Sequence, residues 1–198
     1  MNATEHDASW VVVETPLGLP ALRQFCGDIV RLFRINPYLE FQVLQRTGAH
    51  SYHARFRNLS NQQTVVLDMR IERESPDAFK VLYRDGIKSY TRFVLEANAA
   101  GSRLTITDDY SRLPAAERAQ RVNEVDKSLH AWGWALNEYL RRERRWGRFA
   151  PWRWYTQRVW LPMTPRARRI TYMLVVLTAA ELALILLVAT IYWIEFAD

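Results

Sequence analysis

Residues 64–84 run Thr64-Val65-Val66-Leu67-Asp68-Met69-Arg70-Ile71-Glu72-Arg73-Glu74-Ser75-Pro76-Asp77-Ala78-Phe79-Lys80-Val81-Leu82-Tyr83-Arg84. Leu67, Met69 and Ile71 fall on one side of a two-residue period, as do Phe79, Val81 and Tyr83. Asp68, Arg70, Glu72, Lys80 and Arg84 fall on the other. Successive side chains of a strand point to opposite faces, so this stretch describes two strands with one apolar and one wet face. Ser75-Pro76-Asp77 between them has turn chemistry. A connection that short joins antiparallel neighbours.

The same pattern extends in both directions. Strand-like segments at about 39–47, 51–58, 88–97 and 102–110 complete a six-strand meander, broken at Gly48, Asn58 to Asn61, Asp85-Gly86 and Asn98 to Gly101. Tyr52, Ala54 and Phe56 share one face, and so do Leu104 and Ile106. Upstream, Ser9 to Glu14 reads as a short seventh strand. Apolar positions 22, 25, 26, 29, 32 and 33 then follow helical spacing until Asn36-Pro37, which predicts one amphipathic helix. Downstream, Pro114 opens a long helix with apolar residues at 122, 125, 129, 132, 136 and 139. Such a stripe must cover an apolar surface, and the inner face of the sheet is the obvious partner.

The C-terminal region has a different character. Thr171 to Ile194 is a run of 24 residues with one charged side chain, Glu181. As a helix it reaches roughly 36 Å, enough to cross a hydrocarbon core about 30 Å thick. Ten arginines and one acid, Glu143, lie between Leu140 and Arg169, whereas only Glu195 and Asp198 carry charge beyond Ile194. Arg-rich flanks stay cytoplasmic, which predicts a single-pass membrane protein with its N-terminal domain in the cytoplasm. Arg148, Trp152, Arg153, Trp154, Arg158, Trp160, Arg166, Arg168 and Arg169 are the expected membrane-interface residues, with membrane lipids as partners. A carboxylate near the bilayer midplane costs about 2.5–3.5 kcal/mol on insertion scales. Glu181 is therefore a candidate helix–helix contact, in a homodimer or with an integral membrane partner, beside the small pair Ala179 and Ala183.

Composition narrows the choice further. The net charge is +6, with 27 basic and 21 acidic residues. Because ten of the basic residues sit in the Leu140 to Arg169 segment, the remainder is slightly acidic. With no reading element either, nucleic acid is not an expected partner. Cys26 is the only cysteine, so no intrachain disulfide forms and a reducing compartment fits. Met1 to Asp7 has neither the basic nor the apolar region of a signal peptide. The basic residues are 24 Arg and 3 Lys, which suggests a GC-rich bacterial genome and hence a bacterial inner membrane. His6, His50, His53 and His130 show no metal-ligand spacing, and no phosphate loop or nucleophile elbow is present. No metal, cofactor or catalytic constellation is expected.

The element order, strand, helix, six-strand meander, long helix, resembles the START-like superfamily, also known as SRPBCC or helix-grip. That superfamily includes polyketide cyclases, coenzyme Q-binding proteins and lipid-transfer domains. The resemblance spans roughly residues 9 to 145, and Leu19 to Pro37 sits where members have their first helices. It implies an α+β fold in which a curved antiparallel sheet of about seven strands wraps the last helix and leaves an apolar cavity. The implied wall is Tyr52, Phe56, Leu67, Met69, Phe79, Val81, Tyr83, Leu104 and Ile106, closed by Val125, Leu129, Trp132 and Leu136. Asp108 continues the Leu104, Ile106 phase and is the first candidate for a polar recognition group, with the hydroxyls of Tyr52 and Tyr83.

The expected organisation is a tail (1–8), a START-like domain (9–146), an Arg/Trp-rich juxtamembrane segment (147–169), a transmembrane helix (170–194) and a short tail (195–198). The expected function is a membrane-tethered module holding or transferring a hydrophobic small molecule: a lipid, quinone, isoprenoid or polyketide-like compound. An accessory subunit docked through its transmembrane helix is the alternative, and a cyclase or aromatase a further one.

Overall fold

The protein is described by a computed structural model that covers residues 8–112 and 115–196, and their side chains except those of 115–127. The chain divides into two compact units, Met1–Pro162 and Met163–Asp198.

The first unit begins with β1 (Ala8–Thr15), α1 (Leu19–Gly27) and α2 (Ile29–Arg34). The meander follows: β2 (Leu39–Arg46), β3 (Ser51–Asn58), β4 (Thr64–Ser75), β5 (Ala78–Tyr83), β6 (Tyr90–Asn98) and β7 (Gly101–Asp109). The long helix α3 (Ala115–Trp146) comes next, then α4 (Ala150–Tyr155) and a single π-helical turn (Thr156–Trp160). All seven strands form one antiparallel sheet in the order β1-β7-β6-β5-β4-β3-β2. Register irregularities at Phe41/Val43 and Arg73/Ser75 each bend a strand. The α+β class, the seven antiparallel strands and the long helix are as the patterning predicts.

Alternation sorts the faces. Val11, Val13, Leu67, Met69, Phe79, Val81, Phe93, Leu95, Leu104 and Ile106 are buried, together with Leu129, Trp132, Leu136 and Tyr139 of α3. Helix α3 lies directly on β1, and Asn137 donates a hydrogen bond from Nδ2 to the Glu14 carbonyl at 2.8 Å. It is joined to α2 by Trp132, whose indole N–H donates to the Leu32 carbonyl at 3.2 Å. Arg31 adds a second link, donating from Nε to the Tyr139 hydroxyl at 2.8 Å and pairing with Glu143 at 3.0 Å. Val122 and Val125, the first two residues of the expected stripe, lie outside the described side chains.

One expectation changes. The single helix read from residue 22 to 33 is two helices broken at Asp28, whose φ of −90° and ψ of 85° leave the helical region. Its carboxylate caps α2 by accepting from the Arg31 N–H at 3.0 Å, a role for which aspartate is suited. The apolar period runs through the break because Leu22, Phe25 and Cys26 of α1 and Ile29, Leu32 and Phe33 of α2 are all buried. The first unit continues past α3 to Pro162. Leu161 and Thr156 are buried, and Trp160 packs its ring on Tyr139 with centroids 5.6 Å apart. Apolar side chains in this stretch thus complete the core, a use that the density of arginines around them conceals.

The second unit contains α5 (Pro165–Phe196). It is the one helix among the described residues long and apolar enough to cross a membrane by length and composition.

Candidate functional site

The interior between sheet and α3 is filled in the middle and open towards both ends of the strands. Phe79 stacks on Phe93 with centroids 4.7 Å apart and planes at 11°. Trp132 meets Phe93 edge-on at 5.9 Å, and Phe33 meets Trp132 at 5.2 Å. Aromatic pairs favour such stacked and edge geometries over a loose fit. This plug presents Phe33 and Trp132 to one cavity and Phe79 to the other.

The larger cavity encloses about 270 Å³. Its apolar wall is Phe33, Leu39, Phe41, Phe56, Val65, Leu67, Met69 and Trp132. The ends of β3 and β5 carry its rim, formed by Asn58, Ser60, Asn61 and Gln63 on one side and Asp85, Gly86, Ile87 and Lys88 on the other. Asn36, Tyr83, Tyr110 and Ser128 complete it. The second cavity, about 170 Å³, lies at the opposite strand ends among Arg23, Arg46, Arg73, His50, Tyr52 and Phe79. Arg23 there is held by Asp77, and Arg46 donates to the Gly48 and Ala49 carbonyls.

The expected wall is therefore divided among three places. Phe56, Leu67, Met69, Tyr83 and Trp132 line the larger cavity, while Tyr52 and Phe79 line the smaller. Val81, Leu104, Ile106, Leu129 and Leu136 are buried in the packed core between them. Val125 lies outside the described side chains. Phe33, Asn36, Phe41, Val65, Lys88, Tyr110 and Ser128 were not anticipated as lining residues. Val65 and Phe41 do carry a signal, since each continues the two-residue phase of its strand. Lys88 carries none, because the hairpin that brings it inward is set by the turn at Asp85-Gly86, with Gly86 at φ +101°.

Asp108 is 1% exposed and does not itself line the larger cavity; it lies behind Lys88 and Tyr110, which do. Its Oδ1 accepts from the Thr91 hydroxyl at 2.5 Å, and its Oδ2 accepts from the Tyr110 hydroxyl at 3.3 Å and pairs with Lys88 Nζ. The Tyr83 hydroxyl lies 2.8 Å from Thr91 Oγ1. Burial first, and then the Asp108 charge, push the Tyr83 phenol well above its ordinary range, with the Thr91 hydrogen bond opposing. Register explains the grouping, since Thr91 pairs with Asp108 across β6 and β7.

The histidines at 53 and 130 and Arg92 are not among the residues lining the larger cavity. His53 Nδ1 lies 2.8 Å from Asp68 on the outer face, and His130 is exposed. Arg92 points outward and pairs with Glu74 at 2.7 Å. No cluster of potential metal ligands occurs among the described residues. Of the expected interface residues, Arg148, Arg153, Trp154, Arg158, Arg166 and Arg169 are exposed, Trp152 and Arg168 are half-buried, and Trp160 belongs to the core. Glu181 is exposed on α5.

No family model matches the sequence, and no curated protein does either. Solved structures do resemble the fold. A START superfamily protein from Mycobacterium smegmatis superposes with a TM-score of 0.55 at 11% identity, covering 68% of this chain and 97% of its own. A second Mycobacterium smegmatis protein gives 0.54 at 12%, covering 71% of this chain and 94% of its own. A Nitrosomonas europaea protein gives 0.53 at 10%, covering 74% and 100%. At these identities the likeness is one of fold, and the chain has the START-like fold.

Proposed function

We propose that the first unit is a binding module for a small hydrophobic molecule, taken up in the cavity of about 270 Å³ between the sheet and α3. The observation that carries this reading is the separation of chemistry within that cavity. Phe56, Leu67, Met69 and Trp132 make an apolar interior, and the polar groups are few beside it: the rim, Asn36, Ser128 and the members of the Asp108 cluster that reach the cavity. Small-molecule sites have this character, with few polar groups that orient the ligand, and volumes of roughly 300–1,000 Å³. A space near the lower bound fits a ring system or a single short chain, or one end of a longer molecule whose remainder leaves by the rim. The START-like fold supports the same reading.

The second part of the proposal concerns α5. Its length and apolar composition, with the arginines before it, support a tether that keeps the binding unit at the cytoplasmic face of a membrane. A tether raises the local concentration of the module at its lipid source without any new contact. The test is native mass spectrometry of the full chain released gently from its own membrane. A discrete small hydrophobic adduct on the chain is expected; a chain that is always empty overturns the binding role.

A further inference from the structure

We infer that Lys88 is the polar anchor of the larger cavity, and that the ligand it selects is uncharged and bears an oxygen acceptor such as a ketone or quinone carbonyl. This rests on the cavity being a ligand site.

The hydrogen-bond directions at the polar end lead to it. A carboxylate only accepts, so Thr91 must spend its one hydroxyl proton on Asp108 Oδ1. Tyr83, 2.8 Å from the same Thr91 oxygen, must then be the donor in that pair. Tyr83 consequently has no proton left for a ligand, although its ring lines the cavity. Tyr110 directs its hydroxyl to Asp108 Oδ2. Lys88 differs from all three. Its ammonium has three N–H donors, it pairs with Asp108, and its side chain, 32% exposed overall, is one of those lining the cavity. Asp108, buried and bonded on both oxygens, holds that ammonium in place.

Charge then decides the ligand class. The charged side chains lining this cavity are Lys88 and Asp85, and Asp108 lies directly behind Lys88. The one cation is already matched. A carboxylate ligand would bring a further negative charge into a low-dielectric space without a partner, which is costly. A cationic ligand would meet the ammonium first. A neutral acceptor takes a charge-assisted hydrogen bond from Lys88 and adds no charge.

The test is calorimetric titration of the full chain in lipid nanodiscs, with empty discs as reference, using 2-octanone and octanoate at neutral pH. The native chain should bind 2-octanone, and octanoate roughly tenfold or more weakly, as expected for burying an unpaired charge. Lys88→Met should weaken 2-octanone binding roughly tenfold or more, the scale of a lost hydrogen bond from a charged donor. Lys88→Arg should retain it. If Lys88→Met does not fold, the double variant Lys88→Met/Asp108→Asn removes the stranded carboxylate and carries the same expectation. Unchanged 2-octanone affinity in these variants, or octanoate binding as tightly as 2-octanone, overturns the inference while leaving the cavity a ligand site. Absence of binding by either probe to the native chain overturns the reading beneath it as well.

Discussion

Gly133 lies against Val11: a Cβ placed on Gly133 would come within 2.6 Å of Val11 Cγ2. Valine is stiff at χ1, so it cannot swing away cheaply. The glycine therefore lets α3 settle on β1 at the depth from which Trp132 and Leu136 reach the core. Alanine gains about 1 kcal/mol of helix propensity at such a site, whereas overpacking costs about 1–3 kcal/mol. Gly133→Val should lower stability by about 2–3 kcal/mol, with Gly133→Ala between it and the native chain. Thermal unfolding of the three proteins in one detergent checks the order.

Two leucines separate the filled interior from the hollow part. Leu104 is fully buried in the packed centre, while Leu67 lines the larger cavity. Truncating a packed leucine costs about 3–5 kcal/mol, and less where atoms already face open space. Leu104→Ala should therefore destabilise by about 3–5 kcal/mol and Leu67→Ala by about 1–2 kcal/mol. Equal losses in denaturant titrations would mean that the cavity is packed in solution.

Alkaline pH should weaken the fold. Burial pushes the Cys26 thiol up to about 12. Burial likewise pushes the Tyr139 phenol up to about 12, with Arg31 opposing. Unfolded chains titrate these groups near 8.5 and 10. Both folded values are raised, so the stabilisation is complete below the unfolded value and lost as pH climbs towards the folded one. The slope is about 1.4 kcal/mol per pH unit for each group, beginning near pH 9 with Cys26 and steepening above pH 10 with Tyr139 and the likewise raised Tyr83. Cys26→Ala should delay the onset by about one pH unit, as read from stability measured against pH.

Glu181 tests the second unit. If its carboxyl hydrogen-bonds a neighbouring helix, Glu181→Leu should reduce the mass of the complex isolated in mild detergent, as measured by light scattering. The same mass for both proteins assigns Glu181 no role in assembly.

The strands were legible because each keeps one face apolar over several periods, and Val81, Leu104 and Ile106 are buried as that period requires. The kink at Asp28 was hidden because both helices keep their apolar residues on the core side. Division of the interior was not legible either. Two-residue phase places Phe79 and Phe93 on the inner face, but their stacking depends on rotamers and on what α2 and α3 supply from distant sequence. Asp108 could be found by phase, since it continues Leu104 and Ile106, whereas its partner Lys88, at the start of the expected segment 88–97, precedes β6 and escapes the two-residue phase of that strand. The arginines after α3 suggested a collar throughout, yet Trp160 and Leu161 among them complete the core.

Val65 offers the most direct control on whether the cavity is occupied. It lines the wall, and Val65→Trp should fill much of the space with little loss of stability. Organic extraction of the purified native and Val65→Trp chains, followed by mass spectrometry of the extracts, makes the comparison. One hydrophobic species in near-stoichiometric amount is expected from the native chain, and its loss from the variant. The same species in equal amount from both would place it outside the cavity and rule out occupancy of that space.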